Sequence, residues 1–200
     1  MGMRKSSNSK TVLFLYGVAF VLAIVASILL IATTAIASEY QSNFAYIPAV
    51  ENSPARVATW KRTPTVIVCE HAPVSEEQTK KAVKFWKALG HRFFRTQYKY
   101  DPANKCNDTN PVGYILIHLV TQGIRLDDKN LAETHFFINN DTKEVDWAII
   151  YIRPELKETV LEHELGHALG YLHYNKINHI MNSKWTQGGW DNDGLERKRQ

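Results

Sequence analysis

The sequence predicts an α+β domain of the α/β sandwich type, with about five strands and two main helices, preceded by one N-terminal transmembrane helix. Three observations predict it. Residues 11–38 form a 28-residue run without a charge. Residues 65–152 hold several short β-branched and aromatic runs and one amphipathic helical pattern. A second helical pattern follows and carries a tight cluster of histidines from His163 to His173.

About 20 apolar residues suffice to span a bilayer as a helix. The flank 1–10 carries Arg4, Lys5 and Lys10, and such a flank favours the cytoplasmic side. Two outcomes stay open. An uncleaved signal anchor leaves residues 39–200 outside the cytoplasm as a single-pass membrane protein. A cleaved signal peptide does so as a secreted one, with Ala35-Ile36-Ala37 as a small-x-small cleavage site. The apolar run exceeds the roughly 7–15 residues of a signal core, which favours the anchor. Residues 39–62 mix Ser, Asn, Pro and Ala without periodicity and read as a linker or stalk. The folded domain is expected over 63–200.

Within it, Thr65–Cys69 is a short buried strand. Ser75 opens a helix with Gln78 as its capping-box partner. Ala82, Phe85, Trp86 and Leu89 give that helix an apolar face, and Gly90 ends it. Residues 93–100 form a second strand, 101–112 a loop, and 114–120 the third and most apolar strand. Residues 134–138 and 145–152 are joined by Asn139-Asn140-Asp141-Thr142-Lys143-Glu144 as a hairpin. Pro154 is expected to start the last helix, since proline favours the first helical position.

That helix carries His163-Glu164-Leu165-Gly166-His167-Ala168-Leu169-Gly170-Tyr171-Leu172-His173. On a helix, His163 and His167 stand one turn apart on one face and can share a metal ion. Glu164 lies beside them, where a carboxylate can take a proton from metal-bound water. Gly170 lets the helix stop and His173 return as a third ligand. Three imidazoles leave one tetrahedral position open, the mark of catalytic rather than structural zinc. Leu161, Leu165, Ala168 and Leu169 form an apolar stripe, while Leu156 and Val160 fall near the histidine line, so both sides of the helix are expected to be covered.

This stretch matches H-E-x-x-H-x-x-G-x-x-H, and the chain therefore resembles the metzincin zinc endopeptidases. Met181, eight residues after His173, is the candidate for the family's Met-turn, a hydrophobic support rather than a ligand. The spacing looks most like the matrixin, or matrix metalloprotease, branch. In matrixins a Ser usually follows the third histidine, whereas Tyr174 stands here; Ser183 stands where some other branches carry a tyrosine ligand. The resemblance covers about residues 60–190. It implies a metzincin-like fold with a twisted, mostly parallel sheet and an antiparallel edge strand above the cleft. It also implies one catalytic Zn2+ on His163, His167 and His173, with Glu164 as general base. Residues 133–138 would pair with an extended substrate strand, which makes His135, Phe136 and Phe137 candidate substrate contacts. Trp185 and Trp190 are candidate walls of a specificity pocket. No cysteine between residue 38 and Cys69 offers the zinc-blocking device of matrixin propeptides.

The implied partner is a protein or peptide substrate, with the membrane engaged through residues 11–38 and the catalytic domain monomeric. The alternative is an inactive protease-like binding domain, against which Glu164 argues because gripping a partner does not require that carboxylate. An intramembrane protease with a distant Glu as third ligand is disfavoured by His173 and by the lack of further apolar runs. His71, His91, His118 and His135 have no ligand spacing and read as structural or exposed residues; His179, two residues before Met181, reads as a surface residue or as a support behind the ligands rather than a ligand. Calcium binding is not assigned by any motif. The two cysteines, Cys69 and Cys106, read as a disulfide outside the cytoplasm, with two unpaired thiols as the alternative. Asn107 and Asn140 begin glycosylation sequons. The net charge is +4 and the sequence pI about 9.0. Three basic residues precede residue 11 and all 20 acidic ones follow residue 38, so the rest is near neutral and nucleic-acid binding is not indicated. The closing residues 196–200 read as a solvated basic tail.

Overall fold

A computed structural model describes residues 53–121, 126 and 130–197. The expected flank 1–10, the transmembrane segment 11–38 and most of the linker lie outside the described residues. No helix among the described residues is long and apolar enough to cross a membrane.

The elements run β1 (Thr59–Trp60), β2 (Thr65–Val68), α1 (Glu76–Ala88), β3 (Thr96–Tyr98), β4 (Tyr114–Leu119), β5 (Ala132–Asn139), β6 (Glu144–Ile152) and α2 (Val160–Ala168). The result is a mixed, mostly parallel sheet with two helices. β2 is buried at every residue, as expected of a β-branched strand covered on both faces. It lies between β3 and β4, parallel to both, and β4 pairs in parallel with β6. β5 runs antiparallel along the whole of β6 from Asn139↔Glu144 to Ala132↔Ile152. A strand has two edges, so β1, paired with Glu144 and Val145, must share the other edge of β6 with β4. Among the described residues no strand covers the outer edge of β5. The strand expected over 93–100 is shorter than its pattern, only Thr96–Tyr98.

α1 starts as its sequence directs. Ser75 Oγ accepts from the Gln78 N–H at 3.1 Å, and Gln78 Oε1 accepts from the Ser75 N–H at 2.8 Å. Its buried face includes Ala82, Val83 and Trp86, and Trp86 Nε1 donates to the Glu162 carbonyl at 2.8 Å. One bond thus ties the two helices together across the main core, which fills the space between them and the sheet. A smaller core of Ile67, Leu116, Trp147 and Ile149 covers the other sheet face. There Cys69 and Cys106 are joined by a disulfide that closes over the 101–112 loop.

Two expectations are corrected. The linker does not extend to residue 62. Val57 N–H donates to Gly170 O and Leu172 N–H to Ala55 O, both at 2.9 Å, and Thr59–Trp60 joins the sheet. Residues 53–62 belong to the domain because their backbone groups find partners in it. Nor does Pro154 begin α2. Arg153 is still tied to the sheet end, its N–H to Leu131 O and its Nε to Asn130 O. The chain crosses to the helix layer through 154–159, and Thr159, with φ +67°, precedes the first helical residue. Leu156 consequently packs on the core from a loop, not from the helix.

Candidate metal centre

α2 is nine residues long. One face, through Leu161, Leu165 and Ala168, is buried in the main core, and this burial rather than helix propensity holds so short a helix. The opposite face presents His163 and His167. Beyond Leu169 the chain turns at Gly170, whose φ is +92°. A Cβ there would lie 2.3 Å from the Ala58 carbonyl oxygen, so both the turn and the close approach require glycine. The turn brings His173 back to the helix.

The three rings converge through one kind of atom. His167 Nε2 lies 2.9 Å from His163 Nε2 and 3.2 Å from His173 Nε2. The second nitrogen of two rings is already committed: His163 Nδ1 donates to Ile180 O at 2.7 Å and His167 Nδ1 to Tyr171 O at 2.8 Å. A carbonyl can only accept, so these partners assign the ring proton to Nδ1 and leave the lone pair on Nε2. The His163 and His167 lone pairs then face one another with no proton to share between them. That donor set is complementary to a cation, and orienting carbonyls of this kind are what metal-ligating histidines carry. Burial holds the His163 and His167 imidazoles down to about 3, with neighbouring imidazoles adding to it, and burial lowers His173 as well. All three are neutral, the form that binds metal. His163, His167 and His173 therefore form a group able to hold a metal ion.

Glu164 is buried next to this group. Burial foremost raises its pKa, opposed by His163 and by the Thr134 hydroxyl, which donates to Oε2 at 2.5 Å. Thr134 comes from β5, thirty residues away in sequence, and no local pattern announces it. It is a site residue that reading the sequence missed.

Met181 is fully buried. A Cβ on Gly166 would lie 2.4 Å from its sulfur, so the Met181 side chain passes directly against the helix between the two histidines. The buried His179 steadies this turn: its Nδ1 accepts from the Met181 N–H at 3.1 Å, and its Nε2 donates to Asp193 O at 3.2 Å. His179 is thus an internal support, the second of the two placements its sequence position offered. Tyr174 packs edge-on against its ring, with centroids 4.9 Å apart.

A cleft of about 300 Å³ opens over the histidines, bounded by β5, α2 and the segment after Met181. Phe136 and Trp185 line it. His135 and Phe137 do not. Side chains alternate along a strand, so Thr134 and Phe136 face the helices while His135 and Phe137 face the smaller core. There His135 packs on Tyr151 and Phe137 on Trp147. Trp190 is also outside the cleft, 5.9 Å from Phe85 and beneath the Lys81 ammonium. A second group, Cys69, Cys106 and His118, has metal-like proximity, but sulfurs joined in a disulfide offer no thiolate. No protein-family model matches the chain, and no curated protein matches it.

Proposed function

We propose that this protein is a zinc-dependent endopeptidase of the metzincin class, closest to matrixin-like catalytic domains, acting on extended protein segments outside the cytoplasm. The observation that carries the reading is the convergence of three neutral Nε2 atoms beside a buried carboxylate. His163, His167 and His173 would hold the ion, and the all-imidazole set suits zinc. When bound, zinc acidifies water and polarises a carbonyl. This chain supplies the proton traffic. Glu164 accepts the proton of the attacking water and passes it to the departing amine. Thr134 orients that carboxylate so that one oxygen stays committed and the other is available. The outer edge of β5 offers backbone groups to an extended substrate strand, and Phe136 and Trp185 give its side chains an apolar wall. Twofold support comes from the strand before the last one: it is the antiparallel edge, and it borders the cleft.

Purified full-length chain should contain about one zinc per molecule and cut members of a peptide library, and a chelator should abolish both. Glu164→Ala should keep the metal and lose the cleavage. A Glu164→Ala protein that cuts as fast as the wild type would refute the mechanism. A wild type that holds zinc and binds peptides without cutting them would instead favour the binding-domain reading.

A further inference from the structure

At the C-terminal end of α2, away from the histidine cleft, lies a larger cavity of about 700 Å³. Its walls carry Arg56, Lys61, Arg62, Arg92 and Arg197 against only two carboxylates, Glu144 and Glu196. One of these is already engaged, by Lys61 at 3.7 Å. Among the described residues no ion pair involves Arg56, Arg62, Arg92 or Arg197. Arg62, Arg92 and Arg197 are exposed and Arg56 is half-buried, and like charges gathered around one concavity raise its potential and attract an anion.

Arg56 is the fixed member. Its Nε donates to Leu169 O at 2.9 Å, and its guanidinium lies 5.3 Å from the Tyr171 ring centroid. The Nη groups remain as unspent donors on the cavity wall, pre-oriented at little entropic cost. Helix C-termini repel anions, but here the exposed carbonyls are covered: Arg56 takes Leu169 O and Trp60 Nε1 takes Ala168 O at 2.7 Å. Below them His91 is neutral, held down to about 4 by burial, with Arg56 and Arg197 adding to the shift. The charge lining the cavity is therefore net positive.

We propose that this cavity, walled by Arg56, Arg62, Arg92 and Arg197, is a binding site for a phosphate ester. Guanidinium forks match phosphate oxygens two at a time, and the volume exceeds that of a bare oxyanion, leaving room for an organic group. A soluble phosphomonoester and a phospholipid headgroup share this chemistry.

The test uses full-length protein in neutral detergent. Thermal unfolding is followed during titration with inorganic phosphate, with glycerol phosphate, and with mixed micelles containing phosphatidylglycerol. Sodium chloride at matched ionic strength and phosphatidylcholine micelles are the references. A ligand of the native state raises the melting temperature in a saturable way. Saturation by glycerol phosphate assigns a soluble ester, and saturation by phosphatidylglycerol alone assigns a headgroup. Arg92→Gln with Arg197→Gln should weaken binding by about tenfold or more for each guanidinium removed. The single change Arg62→Gln, on an exposed side chain, is the second variant should the double one fold poorly. Stabilisation no greater than that from chloride, or equal affinity in variants and wild type, would overturn the proposal. Neither zinc nor peptide cleavage enters the readout, so this site and the protease reading stand or fall separately.

Discussion

Replacing Gly170 with Ala should break the contact between the N-terminal segment and the end of the histidine helix. The new Cβ would sit 2.3 Å from the Ala58 oxygen and 3.0 Å from its carbonyl carbon. Real Cβ contacts essentially never fall below 3.0 Å, so at least about 0.7 Å of separation is needed. Ala58 cannot easily supply it. It is buried, and its neighbours are pinned by Val57 N–H to Gly170 O and Thr59 N–H to Lys143 O. The left-handed conformation adds about 1–2 kcal/mol for a residue with a Cβ, and overpacking adds about 1–3 kcal/mol. Together these predict a loss of about 2–5 kcal/mol, or roughly 5–15 °C in melting temperature for a domain of this size. Gly113→Ala is the matched control. Its φ is +86°, but nothing lies within 4 Å of the added Cβ, so only the conformational cost of about 1–2 kcal/mol applies. His173 is three residues beyond Gly170, and zinc affinity should fall in Gly170→Ala but not in Gly113→Ala. Calorimetric melting and metal titration of the two variants decide the matter. Equal melting temperatures for both would refute the steric argument.

Thr134→Val preserves shape and removes the donor to Glu164; it should lower peptide turnover about 10–100-fold, the worth of one hydrogen bond to a charged group. Metal analysis of the same sample should show unchanged zinc. Replacing Cys69 and Cys106 with Ala removes a cross-link spanning 37 residues, which loop-closure entropy values at about 4 kcal/mol. Denaturant unfolding should register that loss while zinc content stays the same. His91 has its pKa held down from 6.5 to about 4, by burial first. Between those pH values the unfolded chain binds a proton that the folded one does not. Its contribution is therefore intact above pH 6.5 and declines toward pH 4, by roughly 2–3 kcal/mol. His91→Gln should flatten that part of the stability-versus-pH curve, and an unchanged curve would exclude the assignment.

The parts legible in the sequence are those whose cause is local. The capping box of Ser75 and Gln78 lies within one turn, and the β5–β6 hairpin is written in two β-branched runs around a polar loop. The histidine cluster is legible because two of its members share one helix face and the third needs a single glycine turn. The parts that escaped reading have distant causes. Residues 53–62 lack apolar periodicity because they are held by Arg56, Trp60 and the Val57 N–H, each reaching a carbonyl more than 100 residues away. The start of α2 is displaced past Pro154 by the hold of Arg153 on the sheet. His135 and Phe137 flank Phe136 in three consecutive aromatic side chains that look equally fit to face a cleft, and only the register with Ile149 and Trp147 turns them away.

The same distinction explains how the histidine group is kept in order. Two of its three imidazoles, His163 and His167, are aimed by carbonyls, Ile180 O and Tyr171 O, and neither carbonyl belongs to α2. Each of these two residues is in turn tied to a different stretch of chain. The Ile180 N–H donates to Asp191 O at 2.8 Å, while Tyr171 bridges to Arg56 and its hydroxyl donates to Leu195 O at 2.9 Å. The segment before β1, the helix and the residues after Met181 therefore meet at one set of nitrogens. A ligand placed on a helix alone keeps its rotamer freedom, whereas one whose second nitrogen is bonded to an anchored carbonyl has lost most of it before any ion arrives. The free energy of ordering the ligands is thus spent during folding, and it is spent by residues that the histidine spacing does not contain. Arg56 takes part in that ordering and also forms a wall of the basic cavity, so an anion bound there and the geometry of His167 and His173 share one structural element.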